Sequence, residues 1–141
     1  MSEFNWVTAR NACSLGNVFA KLRLDVQSDV EERQKLRQPV PLPESGFDHG
    51  FVFTSNSRGF SASLKTGRLQ YSSIFALKED HILVTDEEGE KLLKATVTLN
   101  NERECRLVVE NEEMEGWQFR KKALEGVFFS HCDIYTLRET S

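Results

Sequence analysis

The chain has 141 residues, of which 39% are hydrophobic and 28% charged, so it has enough apolar mass for a core and does not resemble a disordered segment. Its net charge of −4, with the two signs interspersed, disfavours contact with a phosphate backbone. We therefore expect a single domain over residues 1–141 whose core needs neither metal nor disulfide staples, which uses no cofactor and which does not bind nucleic acid.

The cysteines and the hydropathy of the chain bear on its compartment. Cys13, Cys105 and Cys132 are widely spaced and odd in number, which favours reduced thiols and a reducing compartment. The first residues lack a basic stretch followed by an apolar run, and no 18 consecutive residues are apolar. These features predict a cytoplasmic protein with no membrane contact.

The first predicted element is a helix over residues 14–38. Ser14 is a suitable N-cap, and the helix ends before Pro39, whose ring disfavours helical geometry at the preceding residue. Apolar residues follow at steps of three and four, which predicts one buried stripe: Leu15, Val18, Phe19, Leu22, Val26 and Val30. Beyond Val30 the pattern is polar and only Leu36 is apolar, so we expect the last two turns to project into solvent or to contact a partner.

A proline-containing linker and loop is predicted over residues 39–50. Pro39, Pro41 and Pro43 favour an extended, stiff connector. A ligand for an SH3-type groove is the functional alternative, but it requires a spacing of three residues between prolines, whereas here the spacing is two.

Residues 51–110 alternate between apolar and polar, which is typical of strands with one buried face. Turn-forming residues separate the segments at Asn56-Ser57-Arg58-Gly59, Asp86-Glu87-Glu88-Gly89 and Asn100-Asn101. We therefore predict an antiparallel meander of five to six strands. The face away from the core is expected to be partly polar.

The last predicted elements are a helix over residues 115–129 and a tail or short strand over residues 130–141. Acidic residues precede Trp117, and negative charge favours a helix N-terminus. The order of helix, meander and helix predicts an α+β fold in which the helices pack on the sheet.

The chain lacks the common signatures of catalysis. It has no CxxC, HExxH, phosphate-binding glycine loop or GxSxG motif, so we expect neither a metal nor a nucleotide cofactor. The strongest local candidate is the loop of residues 46–51, where Phe47, Asp48 and His49 lie between glycines. An enzyme using this Asp–His pair is one hypothesis, and ordinary turn chemistry is the simpler interpretation.

Two further features concern surfaces. Arg103, Arg106 and Arg120-Lys121-Lys122 are interleaved with Trp117 and Phe119, and we interpret these charges as the solvated rim of a packed face rather than a nucleic-acid site. Five aromatic residues lie at the termini, in loops or off the main helical stripe: Trp6, Phe47, Phe119, Phe129 and Tyr135. Exposed aromatics mark partner surfaces or ligand pockets. The predicted contact residues are therefore the aromatics Trp6, Phe47, Trp117 and Phe119, together with Asp48 and His49 of the loop of residues 46–51.

These observations predict a non-catalytic protein that acts through protein contact, including self-association as a homo-oligomer. The alternative is a small apolar ligand bound between a curved sheet and the helices, among Phe51, Phe53, Phe60, Tyr71 and Phe75. A continuous cavity among these rings would favour that alternative, and a filled core would argue against it.

Overall fold

The structure is a computed structural model and describes residues 3–37, 48–67 and 69–130. Three α-helices lie in this part of the chain: α1 is Trp6–Ala12, α2 is Leu15–Leu36 and α3 is Gly116–Glu125. A π-helical turn, Gly126–Ser130, continues directly from α3.

Seven antiparallel strands form one open sheet in sequence order, from β1 at one edge to β7 at the other. The strands are β1 Asp48–Ser55, β2 Gly59–Thr66, β3 Leu69–Leu77, β4 Ile82–Asp86, β5 Lys91–Leu99, β6 Cys105–Val109 and β7 Glu112–Met114. The predicted α+β class and antiparallel meander are confirmed. The strand count exceeds the predicted five to six; β7 has only three residues, too few for a readable alternation.

The stripe predicted for α2 forms the contact between this helix and the sheet. Ser14 Oγ accepts a hydrogen bond from the Asn17 backbone N–H at 3.3 Å, so it caps the helix as predicted. The side chains that recur along one face are buried, namely Phe19, Leu22, Val26 and Val30. Leu15 and Val18 pack against the same core while remaining partly exposed. The helix ends at Leu36, two residues before its predicted end.

Aromatic rings fill the space between the helices and the sheet. The rings of Phe60 and Phe75 stack with centroids 4.7 Å apart, and Phe53 lies 5.9 Å from Phe60. Phe119 of α3 meets Phe75 edge-on at 6.4 Å. Both Phe75 and Phe119 are fully buried, so these rings constitute the core where α2 and α3 cover one face of the sheet.

The short helix α1 was not predicted from the sequence. Asn5 caps it by accepting a hydrogen bond from the Thr8 backbone N–H, and none of its residues is buried. Helix α1 carries only a few apolar side chains in seven residues, which gives no readable period. Its connection to the rest of the fold comes instead from Cys13, which follows it directly.

Cys13 forms a disulfide with Cys105, which corrects the expectation of reduced thiols. The two residues are 92 positions apart in the chain, but their Cα atoms lie 5.5 Å apart because the fold brings the end of α1 to the start of β6. An odd number of cysteines does not prevent two of them from pairing.

Several predicted segments lie at the limits of the described chain. Residues 39–47 of the predicted linker and the tail from residue 131 onward fall outside it, whereas residues 48–50 belong to β1. Among the described helices, none combines the length and the apolar character needed to cross a bilayer.

Candidate functional site

The start of α3 fixes the position of an exposed tryptophan. The Glu115 backbone N–H donates to Gln118 Oε1 at 2.8 Å, which closes the first turn. Phe119, Ala123 and Leu124 bury one face of the helix. Trp117 lies off that face and remains 54% exposed.

The π-helical turn after α3 is tied to α2 through Arg33. Arg33 Nε donates to the Phe128 carbonyl at 3.0 Å. Its guanidinium carbon lies 4.8 Å from the ring centroid of Phe51 and 4.8 Å from that of Phe129. Stacking between two rings in this way is a favourable cation–π arrangement. It anchors the end of α2 beside the exposed ring of Phe129.

Between the C-terminal half of α2 and α3 with its π-helical turn lies a groove of about 380 Å³, which we call the α2–α3 groove. Its lining residues are Asp29, Glu32, Arg33, Leu36, Trp117, Arg120, Lys121, Leu124, Glu125, Phe128 and Phe129. The two contact elements predicted from the sequence, the polar end of the first helix and the aromatics around Trp117, are thus brought together at one place.

The groove exposes an unusual amount of apolar side chain to solvent. Leu36 is 67% exposed, Trp117 is 54% exposed and Phe129 is 47% exposed. Isolated exposed apolar residues are common on protein surfaces, but a group of three around one concavity is typical of a binding surface.

The charges around the groove are largely neutralised by pairs within the protein. Arg120 Nε lies 2.7 Å from Asp29 Oδ2, and its Nη1 lies 3.4 Å from Asp25 Oδ2. Lys121 Nζ lies 3.0 Å from Glu125 Oε2. Because these cations already have anionic partners, the groove presents mainly apolar surface and offers little net attraction to a phosphate.

A second set of ion pairs orients Trp117. Trp117 Nε1 donates to Glu115 Oε2 at 2.8 Å, and Glu115 Oε1 lies 2.9 Å from Arg106 Nη1. The hydrogen bond from Arg106, and then that from Trp117, lowers the pKa of the Glu115 carboxyl. Glu115 and Glu104 together raise the pKa of Arg106.

A larger cleft of about 690 Å³ adjoins the groove and shares Trp117 and Arg120 with it. It lies among α1, α2, β6 and the start of α3, with the Cys13–Cys105 disulfide in its lining. Its walls mix charges of both signs with apolar side chains, so it has no single chemical character. We therefore regard the smaller, more apolar groove as the candidate site.

The predicted aromatic contact residues have different environments. Trp117 lines the α2–α3 groove, whereas Trp6 is 64% exposed on α1, outside the groove lining. Phe119 is fully buried against Phe75, so it has no surface to offer a partner. Phe129, ten positions further along, is the exposed aromatic that accompanies Trp117.

The predicted Asp–His pair is only partly described. His49 is exposed on β1, close to the bulge between Asp48 and Gly50. The side chain of Asp48 and all of Phe47 lie outside the described part of the structure, so the pairing stays a prediction.

A different Asp–His contact was not predicted from the sequence. His81 Nδ1 lies 2.7 Å from Asp80 Oδ1 in the connection from β3 to β4, and this hydrogen bond lowers the pKa of Asp80. Asp80 is largely exposed. The contact is local to a surface turn.

Of the groove residues discussed above, Phe129 was not among the predicted contact residues, whereas Leu36 and Arg33 lie in the helix end that was predicted to project into solvent or contact a partner. Leu36 was noted as the last apolar residue of a polar helix end, and Phe129 as an aromatic off the main stripe, so both had a weak signal. The position of Arg33 between two rings could not be predicted, because its partners Phe51 and Phe129 are remote in sequence.

Comparison of the chain with protein-family models, with curated proteins and with solved structures finds no significant match. Within the described residues, no group of three or more His, Cys, Asp or Glu side chains has an arrangement that could hold a metal ion.

Proposed function

We propose that this protein acts without catalysis, by binding a protein partner at the α2–α3 groove, and that it also self-associates. The observation that carries the proposal is the exposed group of Leu36, Trp117 and Phe129 around one concavity. Partially exposed tryptophan in a pocket is a frequent source of binding energy in protein interfaces.

The occupant of the groove is the apolar face of a short helix. Two helices border the groove, and an amphipathic helix laid between them would cover the three exposed apolar side chains. The rim pairs Lys121–Glu125 and Arg120–Asp29 would remain at the border, where interfaces are normally polar. The groove therefore supports recognition of a bulky apolar side chain over recognition of a charge.

The alternative of a small apolar ligand in the interior has less support. Phe60 and Phe75 stack on each other, and Phe51 packs edge-on against Phe128 with centroids 5.4 Å apart. These rings occupy the space that such a ligand would need. A filled core was the result expected to argue against an interior ligand, and these rings fill the core.

The expected cytoplasmic location rested on reduced thiols, and the Cys13–Cys105 disulfide removes that support. Disulfides persist mainly in oxidising compartments. The proposed contact does not depend on the compartment, because neither cysteine lines the α2–α3 groove.

The test is affinity capture from the native host with three baits: the unchanged protein, Trp117→Ala and Trp6→Ala. Both tryptophans are exposed, so the two variants remove similar apolar surface from different places. We expect mass spectrometry to identify a protein that the unchanged protein and Trp6→Ala retain and Trp117→Ala loses. Equal retention by all three baits, or equal loss from both variants, would contradict the groove as the site.

A direct measurement can follow with the captured partner. Because the chain has two tryptophans, Trp6→Phe leaves Trp117 as the sole indole reporter. Binding of an apolar helix should shift the emission of Trp117 to shorter wavelength, since the indole would leave water. An unchanged spectrum at saturating partner would place the contact elsewhere.

A further inference from the structure

The outer edge of β1 carries backbone groups with no partner among the described residues. Asn56 N–H donates to the Gly59 carbonyl at 2.9 Å, which shows that even-numbered residues of this strand direct their backbone groups toward β2. Phe51, Phe53 and Ser55 consequently direct theirs outward. The outward N–H of Phe51 donates to Gln34 Oε1 at 2.8 Å, which independently confirms this assignment.

Beyond Gln34 the edge is open in the part of the chain that the structure describes. Phe53 and Ser55 each present one N–H and one C=O group outward, and the Phe51 carbonyl adds another acceptor. Edge strands are normally protected by a proline, a charged residue, a bulge, or a covering helix or loop. Among the described residues, α2 covers this edge at Phe51, through Gln34. Residues 51–55 contain no proline and no charge, and the β1 bulge lies before them, between Asp48 and Gly50.

Space for another strand exists beside this edge. A groove of about 530 Å³ lies between α2 and β1, with Val52 and Phe53 on the strand side. Gln27, Glu31 and Lys35 of α2 form its opposite wall. A strand that paired with β1 would direct alternate side chains into this groove.

We propose that a second copy of this chain pairs its β1 with this β1, antiparallel, around a two-fold axis at Phe53. This inference rests on the proposed self-association and gives it a surface. Phe53 would exchange two hydrogen bonds with the partner's Phe53, and each Ser55 N–H would donate to the partner's Phe51 carbonyl. The partner's Ser55 carbonyl would take the place of Gln34 Oε1 at the Phe51 N–H, so the Gln34 side chain would have to turn away. The result is up to six intermolecular hydrogen bonds and one continuous sheet.

The strand is complementary to itself in ways that favour a second copy as the occupant. Pairing around Phe53 sets the two Phe53 rings side by side and Val52 opposite the partner's Thr54, and aromatic and β-branched cross-strand pairs are favourable. The strand from Phe51 to Ser55 has no charge to repel its copy. The α2 wall carries one acid, Glu31, and one base, Lys35, so its charged side chains have no net charge that would repel a second copy.

The principal test compares Thr54→Lys with Thr96→Lys. Both threonines are exposed, but Thr54 lies on the edge strand and Thr96 lies on β5 in the interior of the sheet. Lysine at position 54 would bring two ammonium groups to diagonal positions across the pairing. We expect sedimentation velocity over a concentration series to show a dimer for the unchanged protein and for Thr96→Lys. For Thr54→Lys we expect the dimer Kd to rise by about tenfold or more.

A second pair of variants separates pairing from side-chain effects. Ser55→Pro removes an outward N–H without removing a β1–β2 hydrogen bond, a position where an edge strand tolerates proline. Ser55→Ala removes the same hydroxyl but keeps the N–H. We expect Ser55→Pro to weaken the dimer and Ser55→Ala to leave it unchanged, with circular dichroism confirming that both variants are folded.

The outcomes separate this inference from the proposal on which it rests. A strict monomer at every concentration would overturn both the self-association and the β1 pairing. A dimer that Thr54→Lys and Ser55→Pro leave intact would overturn the β1 pairing alone. Loss of partner capture in Trp117→Ala concerns the α2–α3 groove, so that result is independent of this strand.

Discussion

Cys13, at the C-terminal end of α1, is bonded to Cys105 at the start of β6, and this bond closes a loop that spans most of the chain. Cys13 is almost fully buried, at 1% exposure. Since α1 has no buried residue, the disulfide is the main covalent restraint on its position.

Removal of this disulfide should destabilise the fold without altering its core. We expect the double variant Cys13→Ser/Cys105→Ser to lower the free energy of unfolding by about 2–5 kcal/mol, because the unfolded chain gains freedom. Urea unfolding followed by circular dichroism measures the difference. The control is Cys132→Ser, which should retain the stability of the unchanged protein. Equal stability of all three proteins would show that the bond does not contribute.

The two aromatic residues of α3 should respond differently to truncation. Phe119→Ala should lower the free energy of unfolding by about 3–5 kcal/mol, because it leaves a cavity in the core against Phe75. Trp117→Ala should cost only about 0.5 kcal/mol, since most of this side chain is already in water. Chemical denaturation of both variants checks the difference, and a large loss for Trp117→Ala would mean that the residue is structural.

The pair between Arg120 and Asp29 should link α3 to α2. Both side chains are partly buried, so we expect Arg120→Gln to lower the free energy of unfolding by about 1 kcal/mol. Asp29→Asn should give a similar loss, and the double variant should lose less than the sum. Fully additive losses would show that the two side chains do not interact in solution.

Acidification should release the hydrogen bond that orients Trp117. The pKa of Glu115 is lowered in the folded state below its ordinary value of 4.5, so its contribution to stability is present above that value. This contribution is lost as the pH falls through the folded pKa. We expect Trp117 fluorescence in the Trp6→Phe background to change below pH 4.5. In the Glu115→Gln variant this change in fluorescence should be absent. If the change persists in that variant, another titratable group causes it.

Gly50→Ala should lower the free energy of unfolding for two reasons, and the control variant Gly67→Ala separates them. The φ angle of Gly50 is +71°, and an added Cβ would force the flexible Gln34 amide to move and to release the Phe51 N–H. Gly67 has a similar φ of +60°, but an added Cβ there meets no atom of the described residues within 4 Å. We expect Gly50→Ala to destabilise the protein by about 1 kcal/mol more than Gly67→Ala, by urea unfolding. Equal losses would assign the whole effect to backbone strain.

The sequence alone predicted those helices and strands whose hydrophobic pattern extends over many residues. The α2 stripe from Phe19 to Val30 and the alternation from Phe51 to Val109 follow from the periods of a helix and a strand. These patterns can be read from the sequence whatever surface covers the apolar face. Short elements were missed, because three residues of β7 and seven of α1 do not define a period. Their existence depends on pairing and bonding with residues remote in the chain.

The candidate site was predictable only in its parts. Trp117 and the polar end of α2 were each recognised as contact elements, because their residue types suit an interface. Their convergence, the burial of Phe119, the exposure of Phe129 and the disulfide between Cys13 and Cys105 were decided by tertiary structure. The physical reason is that hydrophobic periodicity specifies which face of an element is buried, whereas the approach of two faces depends on how all seven strands and their helices pack together.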